Sequence, residues 1–268
     1  MPLLTFLGIA GNNAVTSNLL SSGGIVLNYK RYQIHIDPGT GALLSAREHG
    51  INPAHTNIIL VSHNHLSHCN DLNLLIDAMT YKGIDQRGML IADESVIHGT
   101  NLERPILSRT HQKYLEKIMV LPQGQNINLP SINIQGLKTQ HSNPTTIGFK
   151  LTTEEFTIVY SSDTGYFDEM LSLYKDTDIL ILNTPFSDKT KSENNLNTKN
   201  AFSLISTLKP KLAILTHFSK EMLKENPLYT ARDIQKQTNI QTMTAKEGYS
   251  INPANYSNKQ RQKTLSTY

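Results

Sequence analysis

The sequence predicts a layered α/β domain whose functional site lies along one edge of its sheets. Two observations carry this expectation. Short β-rich runs alternate with helix-patterned runs, and several of the strands run straight into a polar loop bearing histidine or aspartate. The chain has 268 residues and shows no internal repeat, linker or low-complexity block, so a single domain over residues 1–250 with one sizeable core is expected.

Taken in order, "MPLLTFLGIAG" reads as a first strand: it has no basic leader, and it is too short and glycine-broken for a signal peptide. "QIHIDPGTG" is an alternating strand that closes on a turn at Pro38 and Gly39. "NIILVSHNH" is an uninterrupted apolar strand of buried type that ends in histidines. Leu72, Leu75, Ile76 and Met79 then recur at i, i+3, i+4 and i+7, the apolar stripe of a helix. "IGFKLTTEEFTIVYSSDTG" reads as a hairpin turning around residues 152–155, and its second strand delivers Asp163. A second helical stripe, Ala201, Leu204, Ile205 and Leu208, is stopped by Pro210. "KLAILTHFS" is another buried strand, and it delivers His217.

Composition narrows the function classes. No run approaches the roughly 18 consecutive apolar residues of a membrane span. Cys69 is the only cysteine, which rules out an internal disulfide and sets a cytoplasmic expectation. The net charge of +3 is located in a basic tail over residues 251–268, where Lys259, Arg261 and Lys263 stand without an acid. The remaining body is charge-balanced, so charge gives no warrant for nucleic-acid binding, and the tail reads as a solvated end.

The densest chemistry lies in "SHNHLSHCND", with His63, His65 and His68 inside six residues. His63 and His65 stand at i and i+2 just past a strand, so both rings can project to one side. His68 is expected to open the helix that carries the Leu72 stripe, with its ring turned back toward the same cavity. Neutral imidazoles clustered this closely suit zinc, manganese or iron, and three from one loop call for further ligands from elsewhere. His141, Asp163 and His217 each follow a strand and are the candidates. The competing reading is a set of surface histidines capping a helix. Cys69 is expected to be a small buried helix residue rather than a thiolate. His35, His49, His55, His98 and His111 have no partner in the pattern and are expected on surfaces or strand ends. Gly23-Gly24 and the segment Gly39–Gly41 fit turns and lack the following lysine of a P-loop.

These residues resemble a known family. "VSHNHLSH" is similar to the HxHxDH signature of the metallo-β-lactamase fold with the aspartate replaced by Ser67, and "TQHSNP", "SSDTGY" and "LAILTHFS" follow in the family's order. "FLGIAGNN" and "HIDPG" resemble its opening glycine turn and early strand-turn. "NLNTKNAFSLISTLKPKLAILTHF" resembles the segment of its phosphodiesterase branch, which holds tRNA 3′-processing endonucleases and cyclic-phosphate phosphodiesterases, particularly small archaeal-type hydrolases. The resemblance spans residues 3 to 250. It implies an αββα sandwich with a two-metal site, in which His63, His65 and His141 hold one ion, His68 and His217 belong to the other, and Asp163 bridges them. It also implies that a hydroxide shared by the metals attacks phosphorus, and that the metals, zinc before manganese or iron, stabilise charge on the phosphoryl oxygens. Asp37 is then either a residue that orients a ligand or a turn-former.

Two positions depart from the family. Ser67 stands at the metal-binding, proton-accepting aspartate, and a neutral hydroxyl can supply neither function near pH 7. It is expected instead to cap the helix that begins at His68, accepting from the backbone N–H of Asn70. Asp71 is expected one turn into that helix, complementing its dipole. Asn195 stands where the branch has a histidine that protonates the leaving oxygen, and an amide can donate a hydrogen bond but not a proton. The expected function is therefore a metal-dependent phosphodiesterase with a weakened second site, acting on a small phosphodiester or an RNA end. The absence of a long Gly/Pro-rich insertion favours the small substrate. A hydrolase of thioesters or lactones, and a non-catalytic protein stapled by its metal, are the alternatives; no membrane is involved, and a homodimer is left open.

Overall fold

The structure is a computed structural model that describes residues 1–11, 13–18 and 20–257. The first sheet contains β1 (Leu3–Gly8), β2 (Ser22–Tyr29), β3 (Tyr32–Ile36), β4 (Ile58–Val61), β5 (Met89–Ala92) and β6 (Lys117–Val120). The second contains β7 (Asn126–Leu129), β8 (Ile132–Lys138), β9 (Ile147–Thr153), β10 (Thr157–Tyr160), β11 (Ile179–Asn183), β12 (Leu212–Thr216) and β13 (Thr242–Thr244). A last short strand, β14 (Ser250–Ile251), returns to the first sheet beside β1. The orders are β14-β1-β2-β3-β4-β5-β6 and β13-β12-β11-β10-β9-β8-β7. Both sheets are mixed: β3 to β6 and β10 to β13 run parallel, while the remaining pairs are antiparallel.

The helices lie outside: α1 (Asn13–Asn18), α2 (Ala42–Glu48), α3 (Leu66–Cys69), α4 (Leu72–Thr80), α5 (Glu94–His98) and α6 (Arg109–Gln112) in the first half, and α7 (Met170–Leu173), α8 (Thr198–Leu208), α9 (Lys220–Lys224) and α10 (Pro227–Thr238) in the second. The apolar strands explain the layering. Along β4, Ile58 and Leu60 face the core shared by both sheets, with Phe6, Ile36, Phe149 and Ile158. Ile59 and Val61 face the other way, onto Leu72, Leu75, Ile76 and Met79 of α4. A strand covered on both faces must be apolar throughout, which is why "IILV" does not alternate. The four α4 side chains are fully buried, worth roughly 2 kcal/mol each in hydrophobic transfer. On the second sheet, Leu180, Leu182 and Leu215 pack against Ala201, Leu204 and Ile205 of α8. The architecture is the expected αββα sandwich, and the hairpin of β9 and β10 pairs Leu151 with Ile158 as the sequence predicts.

Several expectations need correction. The helix carrying the Leu72 stripe does not begin at His68: α3 and α4 are separate, and His65 occupies the N-cap of α3. Ser67 therefore sits inside α3 rather than capping it, and the amide of Asn70 bonds to the Leu66 carbonyl at 3.1 Å. Because α3 ends at Cys69, Asp71 is the N-cap residue of α4 and not one turn inside, and it makes no side-chain cap bond. Its carboxylate accepts from Asn70 Nδ2 at 2.9 Å instead. Ile251 pairs with Leu4, and Pro253 is buried, so residues 251–256 pack with the domain rather than with the tail expected from residue 251. The basic residues Lys259, Arg261 and Lys263 lie outside the described residues. Among the described residues no helix is long and apolar enough to cross a membrane.

Candidate metal centre

The parallel pairing of β3 with β4 builds the first half of the site. It sets Asp37, just past β3, beside Ser62, just past β4: Oδ1 of Asp37 accepts from the Ser62 amide at 2.7 Å and Oδ2 accepts from the Ser62 hydroxyl at 2.8 Å. Asp37 takes a left-handed backbone, φ 51°, which aspartate tolerates better than most residues. The chain then passes so close to α3 that only glycine fits at residue 39, where an added methyl carbon would fall 2.0 Å from the Ser67 carbonyl oxygen. The second half comes from the other sheet. His141 follows β8, Asp163 follows β10, and His217 follows β12 with φ 61°.

All six predicted side chains converge. His63 Nε2 lies 2.9 Å from His65 Nδ1, and His141 Nε2 lies 3.3 Å from the same His65 atom. Asp163 Oδ2 stands 4.0 Å from both His63 Nε2 and His141 Nε2, and 3.4 Å from His68 Nε2, while its Oδ1 is 3.3 Å from His217 Nε2. Two groups that could each hold an ion result, sharing one carboxylate: His63, His65, His141 and Asp163, and His68, Asp163 and His217.

The outer hydrogen bonds decide which ring nitrogens carry lone pairs. Asp37 Oδ2 accepts from His68 Nδ1 at 2.7 Å, and the Asn194 carbonyl accepts from His141 Nδ1 at 2.8 Å. Ser62 Oγ gives its proton to Asp37, so at 3.0 Å it accepts from His63 Nδ1. Each of these rings is thereby left with an Nε2 lone pair aimed at the centre. The lone pairs of His63 and His141 both face Nδ1 of His65, where a single hydrogen could serve only one of them, whereas a cation among the three would serve all. Moreover, His68 Nε2, His217 Nε2 and Asp163 Oδ2 are buried and have no hydrogen-bond partner among the described residues. Buried polar atoms are seldom left so. The residues fit a divalent cation, and its elemental identity is open between the imidazole-binding metals.

The electrostatics agree. Burial, reinforced by the His68 charge, holds His63 well below the usual imidazole range, and burial together with His141 lowers His65. His68 goes the other way: burial opposes its charge, but Asp163 and Asp37 outweigh it and push the ring up to about 10. Burial also opposes the charge of Asp163, yet His217 and His68 hold its carboxyl well below the ordinary value. The Asp37 and Asp163 carboxylates thus favour positive charge in this pocket.

Asp37 is the orienting residue of the two readings, and it is also a turn-former, since its left-handed backbone makes the bend. Cys69 is buried as expected, donates to the His65 carbonyl at 3.1 Å, and burial pushes its thiol up, away from a thiolate. The loop that carries Asn195 abuts the site through Asn194, and Asn195 Oδ1 is buried with no hydrogen-bond partner among the described residues. His35 does not lie at the surface: it is buried within β3, and its Nε2 donates to the Gly23 carbonyl at 2.7 Å. His111 also has partners, Asp77 Oδ1 at 3.1 Å and Ser108 Oγ at 2.6 Å.

Residues that sequence reasoning passed over complete the site. Asn183, at the end of β11, donates to Asp163 Oδ1 at 2.8 Å and to the Tyr160 hydroxyl at 3.3 Å, and that hydroxyl donates to Asp37 Oδ2 at 2.8 Å. This chain of bonds links the two halves of the site across the sheets. The signal for Asn183 was available, since "DILILN" is another apolar strand closing on a polar residue.

Comparison with known proteins bears on the same residues. A family model described as a beta-lactamase superfamily domain matches residues 32–218, which include all six converging side chains. The uncharacterized protein MJ1374 of Methanocaldococcus jannaschii is 30% identical over 251 residues, 92% of this chain and 94% of that one. Among solved structures, the metallo-beta-lactamase fold protein YhfI from Bacillus subtilis superposes with a TM-score of 0.78 at 18% identity, covering 93% of this chain and 98% of that one. The human short-form tRNase Z gives 0.67 at 14% identity, covering 94% and 99%. A diphosphatase of the PhnP family gives 0.66 at 17% identity, covering 94% and 97%. At these identities the structural likeness is one of fold.

Proposed function

The chain belongs to the β-lactamase superfamily and has the metallo-β-lactamase fold, and on that premise we propose that it is a metal-dependent hydrolase of phosphodiesters. The observation that carries the reading is the convergence of buried ligand atoms of His68, Asp163 and His217 that have no hydrogen-bond partner among the described residues, beside the ring nitrogens of His63, His65 and His141. In this reading His63, His65 and His141 hold one divalent ion, zinc before manganese or iron. His68 and His217 hold a second, and Asp163 serves both. When bound, such metals supply Lewis acidity and lower the pKa of water.

The chain's own residues do the rest. Asp37, Ser62 and Asn194 keep protons on the outer nitrogens of His68, His63 and His141, so that the inner nitrogens stay free to coordinate. Asn183 holds Oδ1 of Asp163, fixing the orientation of the shared carboxylate. Ser67 brings no carboxylate to the second ligand set, so that set carries less negative charge and no extra proton acceptor. Asn195 can hydrogen-bond a departing oxygen but cannot give it a proton. Turnover should accordingly be slow or restricted in substrate. A phosphoester or RNA substrate is favoured over thioesters and lactones because folds of tRNase Z and of a diphosphatase each superpose on 94% of the chain. The single buried cysteine is consistent with work in the cytoplasm.

The test is a panel of phosphodiester, phosphomonoester, thioester and lactone substrates with protein reconstituted in zinc, manganese or iron. Diester hydrolysis should be lost on chelation, restored by metal and abolished in His65→Ala, while His49→Ala, an exposed histidine, should behave as wild type. Hydrolysis that survives chelation, or that appears only with thioesters or lactones, would overturn the proposal.

A further inference from the structure

Beside His65 lies a cavity of about 560 Å³, walled by the start of α5, by residues 99–103 and by residues 142–145. Its wall is built rather than incidental. Asn64, buried between His63 and His65, donates through Nδ2 to Glu103 Oε2, and its Oδ1 accepts from Asn143 Nδ2 at 3.1 Å. Asn143 Nδ2 also reaches Ser95 Oγ at 2.8 Å. The wall and the metal-binding loop are thus one hydrogen-bonded unit.

The charge of this wall is unusual for a site expected to meet phosphates. Glu94 and Glu103 line the cavity, and among the described residues no lysine or arginine does. Proteins that grip polyphosphates or strands do so with Lys and Arg, because each neutralised phosphate adds affinity. Here the cation needed by the reacting phosphoryl group would be supplied by metal held at the centre, and the adjoining space offers acceptors and negative charge. Glu103 engages Asn64 through Oε2, which leaves Oε1 for a donor.

We propose, resting on the phosphodiesterase reading above, that this cavity receives the non-reacting arm of the substrate. That arm is a neutral or cationic group rich in hydrogen-bond donors, such as an aminoalkyl or polyol group, and free of further phosphate. A second phosphate would be driven against two carboxylates with no counter-cation in the lining, so the wall selects against a continuing RNA strand. Glu103 is the residue that sets this selectivity, with Glu94 adding to it.

The experiment uses metal-reconstituted full-length protein and three p-nitrophenyl phosphodiesters that differ only in the second arm: 2-aminoethyl, 2-hydroxyethyl and 2-phosphonooxyethyl. kcat/KM should fall in that order, with at least about tenfold between the amine and the phosphate arm, as a like-charge contact replaces an opposite one. Glu103→Gln keeps an oxygen that can accept from Asn64 while removing the charge, so the amine-to-phosphate ratio should shrink, and shrink further with Glu94→Gln. Binding of the product 2-aminoethyl phosphate, measured by calorimetry, should weaken in the same variants. Equal rates on the three diesters, a preference for the phosphate arm, or a ratio unchanged in the double variant would overturn the arm assignment and leave the diesterase reading standing. Failure to cleave any of the three by fully metal-loaded protein would instead overturn the diesterase reading on which it rests.

Discussion

Asp37 and His68 are joined by a 2.7 Å hydrogen bond from the ring Nδ1 to the carboxylate Oδ2, with both side chains buried. The same oxygen accepts from Ser62 Oγ and from Tyr160 at 2.8 Å each. One carboxylate atom therefore sets the ring of His68, the loop leading into His63 and a tyrosine from the opposite sheet. Asp37→Asn, which retains the left-handed backbone, should lower metal affinity by about 10–100-fold, the usual effect of losing an outer partner of a ligand. Asp37→Ala leaves four buried donors, the Ser62 amide and hydroxyl, His68 Nδ1 and the Tyr160 hydroxyl, without their acceptor and should also destabilise the fold by about 3–5 kcal/mol. Metal titration and chemical denaturation measure the two effects separately, and wild-type affinity in Asp37→Asn would contradict this role.

The close approach at Gly39 gives a second prediction. A methyl carbon there would meet the Ser67 carbonyl oxygen at 2.0 Å and the Ser22 carbonyl oxygen at 2.4 Å, both of them backbone atoms that cannot rotate away. Gly39→Ala should push α3 outward and cost roughly 1–3 kcal/mol. Because α3 carries His68, metal binding should weaken along with stability. Thermal unfolding in chelator would show the first effect, and an unchanged melting temperature would count against the packing described.

His35 makes stability pH-dependent. Burial, only partly offset by its bond to Gly23, lowers its pKa to about 4 from an ordinary value of 6.5. The folded state thus keeps the ring neutral while the unfolded chain takes up a proton below pH 6.5. Stability falls as pH drops through the window from 6.5 to 4 and is fully present above it. At pH 5 the loss should be about 2 kcal/mol from this one group. Comparing metal-free wild type with His35→Gln, by denaturation at pH 7 and pH 5, isolates it. The variant should lose less stability between the two, and an equal loss would assign the effect elsewhere.

Ser67 lines a cavity of about 20 Å³ together with Asp37, His68 and His217. That is room for about one water, enough for a carboxylate oxygen. Ser67→Asp should add a ligand to the set of His68, Asp163 and His217 and tighten its ion. Calorimetric titration should then show the weaker of two binding steps strengthening while the stronger one stays put. An unaltered weak step would mean that the pocket is shaped for another purpose, and a non-catalytic role for the metal would gain ground.

Much of this site was legible because polar residues at the ends of apolar strands are rare enough to stand out. His63, Asp163 and His217 each follow such a run, and the parallel strands of the two mixed sheets bring those ends to one edge. What sequence could not show depends on pairing between strands distant in the chain. Asp37 meets Ser62 only because β3 and β4 are parallel neighbours, and Asn183 meets Asp163 only because β10 and β11 are. His35 was misplaced because alternation in "QIHID" suggests an open face, whereas this strand is covered on both sides. Ser67 was misread as a cap because propensity favours serine there, while geometry started the helix two residues earlier. Asn64 and Glu103 lie 39 positions apart with no shared motif, so their contact had no local signature.

The most direct test of the account is anomalous diffraction at the zinc, manganese and iron edges from crystals of protein purified without chelator. The account predicts a peak bonded at about 2.0–2.2 Å to His63 Nε2, His65 Nδ1 and His141 Nε2, with a weaker second peak beside His68 and His217. No anomalous peak between His63, His65 and His141, even after soaking in each metal, would contradict it.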